Sequence, residues 1–328
     1  MAAEAKPTPM AARSAAADGL RLGYRTLWRD ALNTLLRDRL AAFGLVLVLL
    51  FLVLAVLGPL VTPYDHLRQD FTAIAKGPSA AHWLGTDELG RDMFSRIVMG
   101  MRTGLLVALV VTTIQVILGT LLGAIAGFFG GWIDSVISQL INGIIAFPYL
   151  LLALFVSATV RPPIQVFFQG LYERTQWPMF RSTLMLDYLV VIGALGFVAW
   201  PGLARLVRGQ ILSLRERDYV LAARTVGATG WHVITRHLIP NALGPVIVAT
   251  ALNFGGAILL EASLSYLGIG IMPPGASLGR MINENLSAWR FRPHLVLVPA
   301  SVLALILLGF TILGDGLNDA LDPRRRRR

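Results

Sequence analysis

Four charged residues stand within six positions of the chain: Asp87, Glu88, Arg91 and Asp92. Carboxylates this close can form an acid/base pair, but such a pair also needs a cleft and shifted pKa values, which a sequence does not show. The same spacing fits an ordered turn that is held by an ion pair. We therefore predict a structural role, in which Asp87 and Arg91 hold the surrounding segment in place.

Histidine and cysteine chemistry finds no support in the sequence. The chain has no cysteine, which excludes disulfides, thiolate metal sites and cysteine nucleophiles. Its histidines are scattered and lack the spacing of metal ligands, so we predict no metal site. They are His66, His82, His232, His237 and His294.

The composition predicts a membrane protein. Hydrophobic residues make up 55% of the 328 residues and charged residues only 15%, whereas soluble domains carry about 25% charged residues. The net charge of +10 gathers at the N-terminus, in one middle segment and at 324–328. Basic residues that flank apolar spans are typical of cytoplasmic anchors, so we expect no nucleic-acid binding.

Six apolar runs are candidate transmembrane helices, since a spanning helix needs about 20 residues. The fourth is the shortest, and we accept it because the charges of Asp187 and Arg205 at its ends can reach the membrane surface. The runs are 40–61, 103–132, 135–160, 188–204, 241–260 and 295–313.

The arginines near the span ends predict that both termini are cytoplasmic. This division gives a cytoplasmic segment 1–39 with a candidate amphipathic helix, a first transmembrane helix 40–62, an extracytoplasmic loop 63–102, a transmembrane domain 103–319 and a basic tail 320–328. A further outer loop, 161–187, holds Tyr172 and Trp177, which suit the interfacial belt. The predicted fold class is all-α, with six transmembrane helices and one large cytoplasmic loop between spans four and five.

That cytoplasmic loop, 217–241, has helical spacing. Val220, Ala223, Val226 and Gly227 fall on one face of a short helix. Gly227 then ends or bends that helix, 231–237 can form a second one, and Pro240 begins the next span. Two short helices make a compact knob that can seat in a groove of another protein. The alternative is a connecting loop at the membrane interface.

The loop resembles the cytoplasmic loop of permease subunits of ABC importers, in which Glu-Ala-Ala is followed by a glycine and later by Ile-x-Leu-Pro. Ala222, Ala223, Gly227 and Pro240 stand at the matching positions, while Leu221, His237 and Ile239 depart from the pattern. Six more segments resemble the "C" type of the dipeptide/oligopeptide/nickel branch. These are 83–92, 130–134, 146–148, 202–210, 260–268 and 315–319.

The resemblance implies a permease of a bacterial-type inner membrane that translocates peptides or a related small solute. The implied partners are a homologous permease subunit, two ATP-binding subunits that carry ATP and Mg, and an extracytoplasmic solute-binding protein. The chain has no G-x-x-x-x-G-K-[ST] loop, so we expect no ATP site and no enzyme activity of its own. Coupling to the ATPase is assigned to Asp218, Tyr219, Ala222, Ala223, Gly227 and Thr229, with charge contacts from Arg224.

Polar residues inside the spans are candidates for the translocation path: Gln139, Asn142, Asn253 and Glu261. Hydrogen bonds between helices are the alternative role for the amides, as for Gln115. The alternative for Glu261 is to anchor the turn at 261–268. Gly119, Gly123 and Gly127 form a small-residue face that predicts close helix packing.

Two other classes of function remain as alternatives. A secondary transporter or channel would need no ATPase, but the spans contain no relay of acidic and basic residues. An intramembrane enzyme would need a Ser/His or carboxylate pair within the spans, which the sequence lacks. The motifs do not choose among dipeptides, oligopeptides, nickel complexes and sugars.

Overall fold

The computed structural model describes residue 33 and residues 35–321, and helices dominate this range. Most of the predicted amphipathic helix and residues 322–328 of the basic tail lie outside the described residues. No strand occurs in the described part, where Thr86 and Asp92 form an isolated bridge. The helices are α1 Arg39–Val61, α2 Met93–Phe129, α3 Gly131–Ile145, α4 Tyr149–Thr175, α5 Thr183–Leu214, α6 Asp218–Thr225, α7 Gly230–Val233, α8 Ile239–Tyr266, α9 Leu278–Glu284 and α10 His294–Leu321.

Six helical segments of the described residues are long and apolar enough to cross a membrane, as the sequence predicts. They are α1, α2, α4, α5, the continuous segment Gly230–Tyr266 and α10. Several extend well past the apolar runs that reveal them. The second begins at Met93, where Asp92 accepts a hydrogen bond from the Ser95 N–H and caps the helix.

The third span differs from the prediction. Instead of one helix at 135–160 followed by a loop at 161–187, α3 ends at Ile145, a short break leads to Pro148, and α4 runs from Tyr149 to Thr175. A 3-10 turn, Pro178–Arg181, then leads into α5. The loop prediction was wrong because Pro162 and Pro163, which usually break helices, lie inside α4. Membrane helices tolerate proline where neighbouring groups satisfy the freed carbonyls.

The chain runs back and forth, so its connections gather at two ends. The first end carries segments 62–92, 176–182 and 267–293. The second end carries Gly130 and segment 215–238, together with the start of α1 and the end of α10. Contacts agree with this division: Arg91 reaches Glu284 at the first end, and Arg215 donates to the Gly127 carbonyl at the second.

Close packing of α2 against α5 confirms the predicted glycine face. A Cβ atom built on Gly119 would lie 2.9 Å from the Leu203 Cβ. One built on Gly123 would lie 2.4 Å from the Ala204 carbonyl oxygen. Only glycine allows the two backbones to approach this closely, as in other small-residue helix interfaces.

An ionic cluster ties segment 62–92 to α9 at the first end. The Arg91 Nε donates to Asp87 at 2.7 Å, which is the predicted pair, and Arg91 and Arg96 both donate to Glu284, at 3.1 and 2.8 Å. Arg280 also donates to Glu284. Burial raises the pKa of Glu284, but the charge and hydrogen bond of Arg96, with Arg280 and Arg91, hold it below its usual value.

A second ionic contact joins α4 and α5 at the same end. Arg161 pairs with Asp187, which is buried, and Arg161 also donates to the Gly270 carbonyl at 3.1 Å. Asp187 accepts from the Met272 N–H at 2.7 Å. These bonds fix the loop after α8 against the spans on both sides.

Candidate coupling surface and central cavity

Two short helices at the second end form a knob, which we define as residues 218–233. Gly227 separates them with φ of +86°, a left-handed conformation that favours glycine. Its N–H donates to the Arg224 carbonyl at 2.9 Å, and the Ala228 N–H donates to the Ala223 carbonyl at 3.1 Å. Thr229 caps α7 by accepting from the His232 N–H. The sequence therefore places the turn at Gly227 correctly.

One side of the knob is anchored in the bundle. Val220 and Val233 are fully buried, as are Ile234 and Leu238 beyond the knob. They pack in one cluster with Leu203, Val207 and Ile211 of α5. The knob and the second end of α5 therefore share one buried apolar cluster.

The opposite side of the knob is exposed. Among the predicted coupling residues, Asp218, Tyr219, Ala222, Gly227 and Thr229 are exposed, and Ala223 is half-buried. The prediction that Val226 shares the apolar face of Val220 was wrong. Val226 follows the last residue of α6 and is 88% exposed. Leu221 and Trp231 of the knob are apolar and exposed as well.

Arg224 makes a contact within its own chain that the sequence does not reveal. Its guanidinium carbon lies 4.7 Å from the centroid of the Phe128 ring at the end of α2. The same ring approaches Gly230, where an added Cβ would lie 2.9 Å from the Phe128 Cε1. Both helices of the knob therefore touch one aromatic side chain of α2.

A cavity of about 410 Å³ lies midway along the bundle, between α2, the α3–α4 break, α5 and α8. Its polar lining comes from Gln115, Asn253 and Tyr149, and most of the remaining lining is aliphatic. The structure thus places Asn253, among the predicted path residues, in the cavity wall. It adds Gln115, for which the sequence favoured a hydrogen bond between helices.

The other predicted path residues lie elsewhere. Gln139 and Asn142 are exposed on α3, outside this cavity. Asn142 accepts a hydrogen bond from Arg205 at 2.9 Å, which is the alternative role, a bond between helices. Glu261 is 1% exposed and accepts from the Ser265 hydroxyl at 2.8 Å, and Ser265 in turn accepts from the Ile271 N–H. Glu261 therefore holds the turn after α8 and does not line the cavity.

Helix α3 presents a face that nothing in the described chain covers. Trp132 and Leu140 of α3 are 77% and 57% exposed, and Phe147, in the break that follows α3, is 61% exposed. The first turn of α3 is fixed by Asp134, whose carboxylate accepts a hydrogen bond from the Arg208 guanidinium at 2.7 Å. The hydrogen bond from Arg208 holds the pKa of Asp134 below its usual value despite partial burial. Within the described residues, no group of three His, Asp or Glu side chains is arranged to hold a metal ion.

A bundle of membrane spans with a central cavity and an anchored knob at one end defines a transport permease. Residues 119–327 match the family described as binding-protein-dependent transport system inner membrane component, and residues 26–78 match the N-terminal TM domain of oligopeptide transport permease C. The chain belongs to this family and is an ABC importer permease of the C type.

Curated relatives match along nearly the whole chain. The dipeptide transport system permease protein of Alkalihalophilus pseudofirmus is 37% identical, over 91% of this chain and 90% of that protein. The oligopeptide transport system permease protein of Bacillus subtilis is 33% identical over 97% of each. The glutathione transport system permease protein of Pectobacterium atrosepticum is 36% identical over 92% of each.

Proposed function

We propose that this chain carries peptides or chemically similar small solutes through a bacterial inner membrane, as one half of the permease pair of an ATP-driven importer. The anchored knob 218–233 carries this proposal. Its buried side is continuous with the transmembrane core, and its exposed side is free to seat in another protein. The names of the curated relatives, which cover dipeptides, oligopeptides and glutathione, support the solute class.

The second end is proposed to face the cytoplasm. Arg205, Arg208, Arg215, Arg217 and Arg236 lie in or beside segment 215–238, and such a cluster favours the cytoplasmic side. The first end, with the ionic cluster around Glu284, then faces outward. This orientation puts the knob on the side where ATP is available.

ATP and Mg are proposed to bind to separate ATPase subunits. Asp218, Tyr219, Ala222, Gly227 and Thr229 would contact such a subunit through the exposed side of the knob. When the ATPase pair closes, the knob would move as a rigid body and carry the second ends of α2 and α5 with it. ATP binding and hydrolysis in the ATPase subunits would therefore open or close the cavity to one side of the membrane, although the nucleotide is bound by those subunits and not by this chain.

The cavity is proposed to be part of the solute path. The amides of Gln115 and Asn253 can each donate and accept hydrogen bonds, which suits the amide groups of a peptide. The exposed apolar face of α3 is proposed to pack against a homologous permease subunit, which would complete the path. An extracytoplasmic binding protein would deliver the solute to the outward end.

The test is purification of the tagged chain from its native membrane, followed by uptake measurements in proteoliposomes. We expect a second permease and two ATP-binding subunits to co-purify, and uptake of a dipeptide to require ATP. A chain that purifies alone, with uptake that survives ATP removal and stops when the ion gradient collapses, would overturn the proposal in favour of a secondary transporter.

A further inference from the structure

The segment between α4 and α5 forms a hairpin that extends past the apolar layer. Within α5 no charged residue occurs between Asp187 and Arg205. This stretch spans about 27 Å at the rise of an α-helix, close to the thickness of the hydrocarbon core. Arg161 pairs with Asp187 and so lies at the same level on α4. The two ion-paired residues therefore mark the outward edge of the apolar layer.

Beyond that edge, α4 continues for fourteen more residues, to Thr175. This length corresponds to about 21 Å, whereas the polar headgroup layer adds only about 5–8 Å on each side. The returning chain follows α4 closely, since Phe168 and Leu186 line one small cavity and Tyr172 and Arg181 line it further out. Residues 176–182 thus fold back along α4, and on these dimensions the tip of hairpin 162–182, residues 173–181, reaches beyond the headgroup layer.

The tip is held by contacts between aromatic rings and carries exposed apolar side chains. Phe180 packs edge-on against Phe168, with ring centroids 5.6 Å apart, and stacks with Trp177 at 6.3 Å. Trp177 nevertheless remains 61% exposed and Met179 42% exposed. Because the tip reaches beyond the headgroup layer, the prediction that Trp177 belongs to the interfacial belt does not account for these residues. Exposed Trp and Met are enriched at protein–protein interfaces.

The charges at the tip define the partner further. Arg174 and Arg181 are exposed and stand against a single carboxylate, Glu173, so the tip is cationic. A partner surface that complements this tip would have an apolar recess for Trp177 and Met179, with acidic residues around it. In the proposed orientation, the partner that must reach this end is the extracytoplasmic solute-binding protein. We propose that hairpin 162–182 is a landing site for this binding protein, an inference that rests on the proposed function.

Cross-linking tests the contact directly, because the chain has no cysteine and a single introduced thiol is unique within it. Trp177→Cys is labelled with benzophenone maleimide and irradiated in the intact complex. The control is Phe155→Cys in α4, which is 65% exposed but lies inside the apolar layer. We expect Trp177→Cys alone to cross-link to a protein that mass spectrometry identifies as an extracytoplasmic solute-binding protein. Cross-links from Trp177→Cys only to lipid or to another permease chain would overturn the proposal.

The charge of the tip is tested by the double variant Arg174→Glu/Arg181→Glu, with Glu173→Gln as the control. The readout is the concentration of purified binding protein that half-maximally stimulates the ATPase of the reconstituted complex. We expect the double variant to raise this concentration at least about tenfold at low salt, and the control to leave it unchanged or lower it. Basal ATPase activity should not change. If the double variant leaves the half-maximal concentration of binding protein unaltered, the docking role is refuted. Failure of the proposed function is distinguishable, because the wild-type chain would then already purify without ATPase subunits.

Discussion

The Arg224 guanidinium lies over the Phe128 ring, 4.7 Å from its centroid, and so joins the knob to the end of α2. Gly230, in the second helix of the knob, approaches the same ring. Helix α2 is also the helix whose glycine face packs against α5. One aromatic side chain therefore connects the exposed knob with the closely packed pair of spans beside the cavity.

Loss of the Arg224–Phe128 contact should lower the amount of solute transported per ATP hydrolysed. A cation–π contact at an exposed site contributes roughly 0.5–1 kcal/mol, so Arg224→Gln and Phe128→Leu should each weaken coupling without preventing membrane insertion. The double variant should be no worse than the poorer single variant, because both remove one interaction. The control, Arg236→Gln, removes a charge from the same end. Equal coupling ratios in Arg224→Gln and wild type would contradict this role.

Substitution of Gly227 should act through the backbone. An added Cβ meets nothing within 4 Å, but φ is +86°. Left-handed backbone costs most L-residues about 1–2 kcal/mol, and Asn tolerates it best. We expect Gly227→Val to reduce co-purification of the ATP-binding subunits and ATP-driven uptake, with normal insertion. Gly227→Asn should retain both. Equal behaviour of the two variants would show that the left-handed turn does not matter.

The sequence predicts the parts of this fold that depend on local pattern. Apolar runs predict the six spans. The knob is predicted because Gly227 ends a short helix and Pro240 begins the next span. Hairpin 162–182 is missed because its prolines indicate a loop, while the contacts of Phe168 with Phe180 and Leu186 join residues that are not neighbours in the sequence. Glu284 is missed because its arginine partners lie up to 193 residues away. Likewise, no local pattern distinguishes Asn253 in the cavity wall from Glu261 in a buried turn.

Gly123→Ala should destabilise the bundle, since the new Cβ would meet the Ala204 carbonyl oxygen at 2.4 Å. Overpacking of this kind costs typically about 1–3 kcal/mol. The matched control is Gly143→Ala in α3, where nothing lies within 4 Å of the added Cβ. We expect a lower midpoint of thermal aggregation in detergent for Gly123→Ala and no loss for Gly143→Ala. Similar midpoints would argue against close packing of α2 and α5.

The cluster around Glu284 should make the first end sensitive to acid. The folded chain holds the Glu284 pKa below its value of about 4.3 in the unfolded chain. Its stabilisation is therefore complete above about pH 4.3 and is lost as the pH falls through the lower, folded pKa. We expect the midpoint of thermal unfolding to fall across this range. In Glu284→Gln the midpoint should be lower at neutral pH and should depend less on pH, and an unchanged pH dependence would exclude this contribution.

The large separation in sequence between the members of that cluster also has a consequence for synthesis of the chain. Arg91 and Arg96 leave the ribosome long before Glu284, which follows Arg91 by 193 residues. Synthesis of that many residues takes roughly 10–40 s at the usual rate of translation. During this interval Asp87, which also pairs with both arginines, is their available carboxylate partner in the cluster. Asp87 can therefore pair with both arginines before Glu284 is synthesised and completes the cluster.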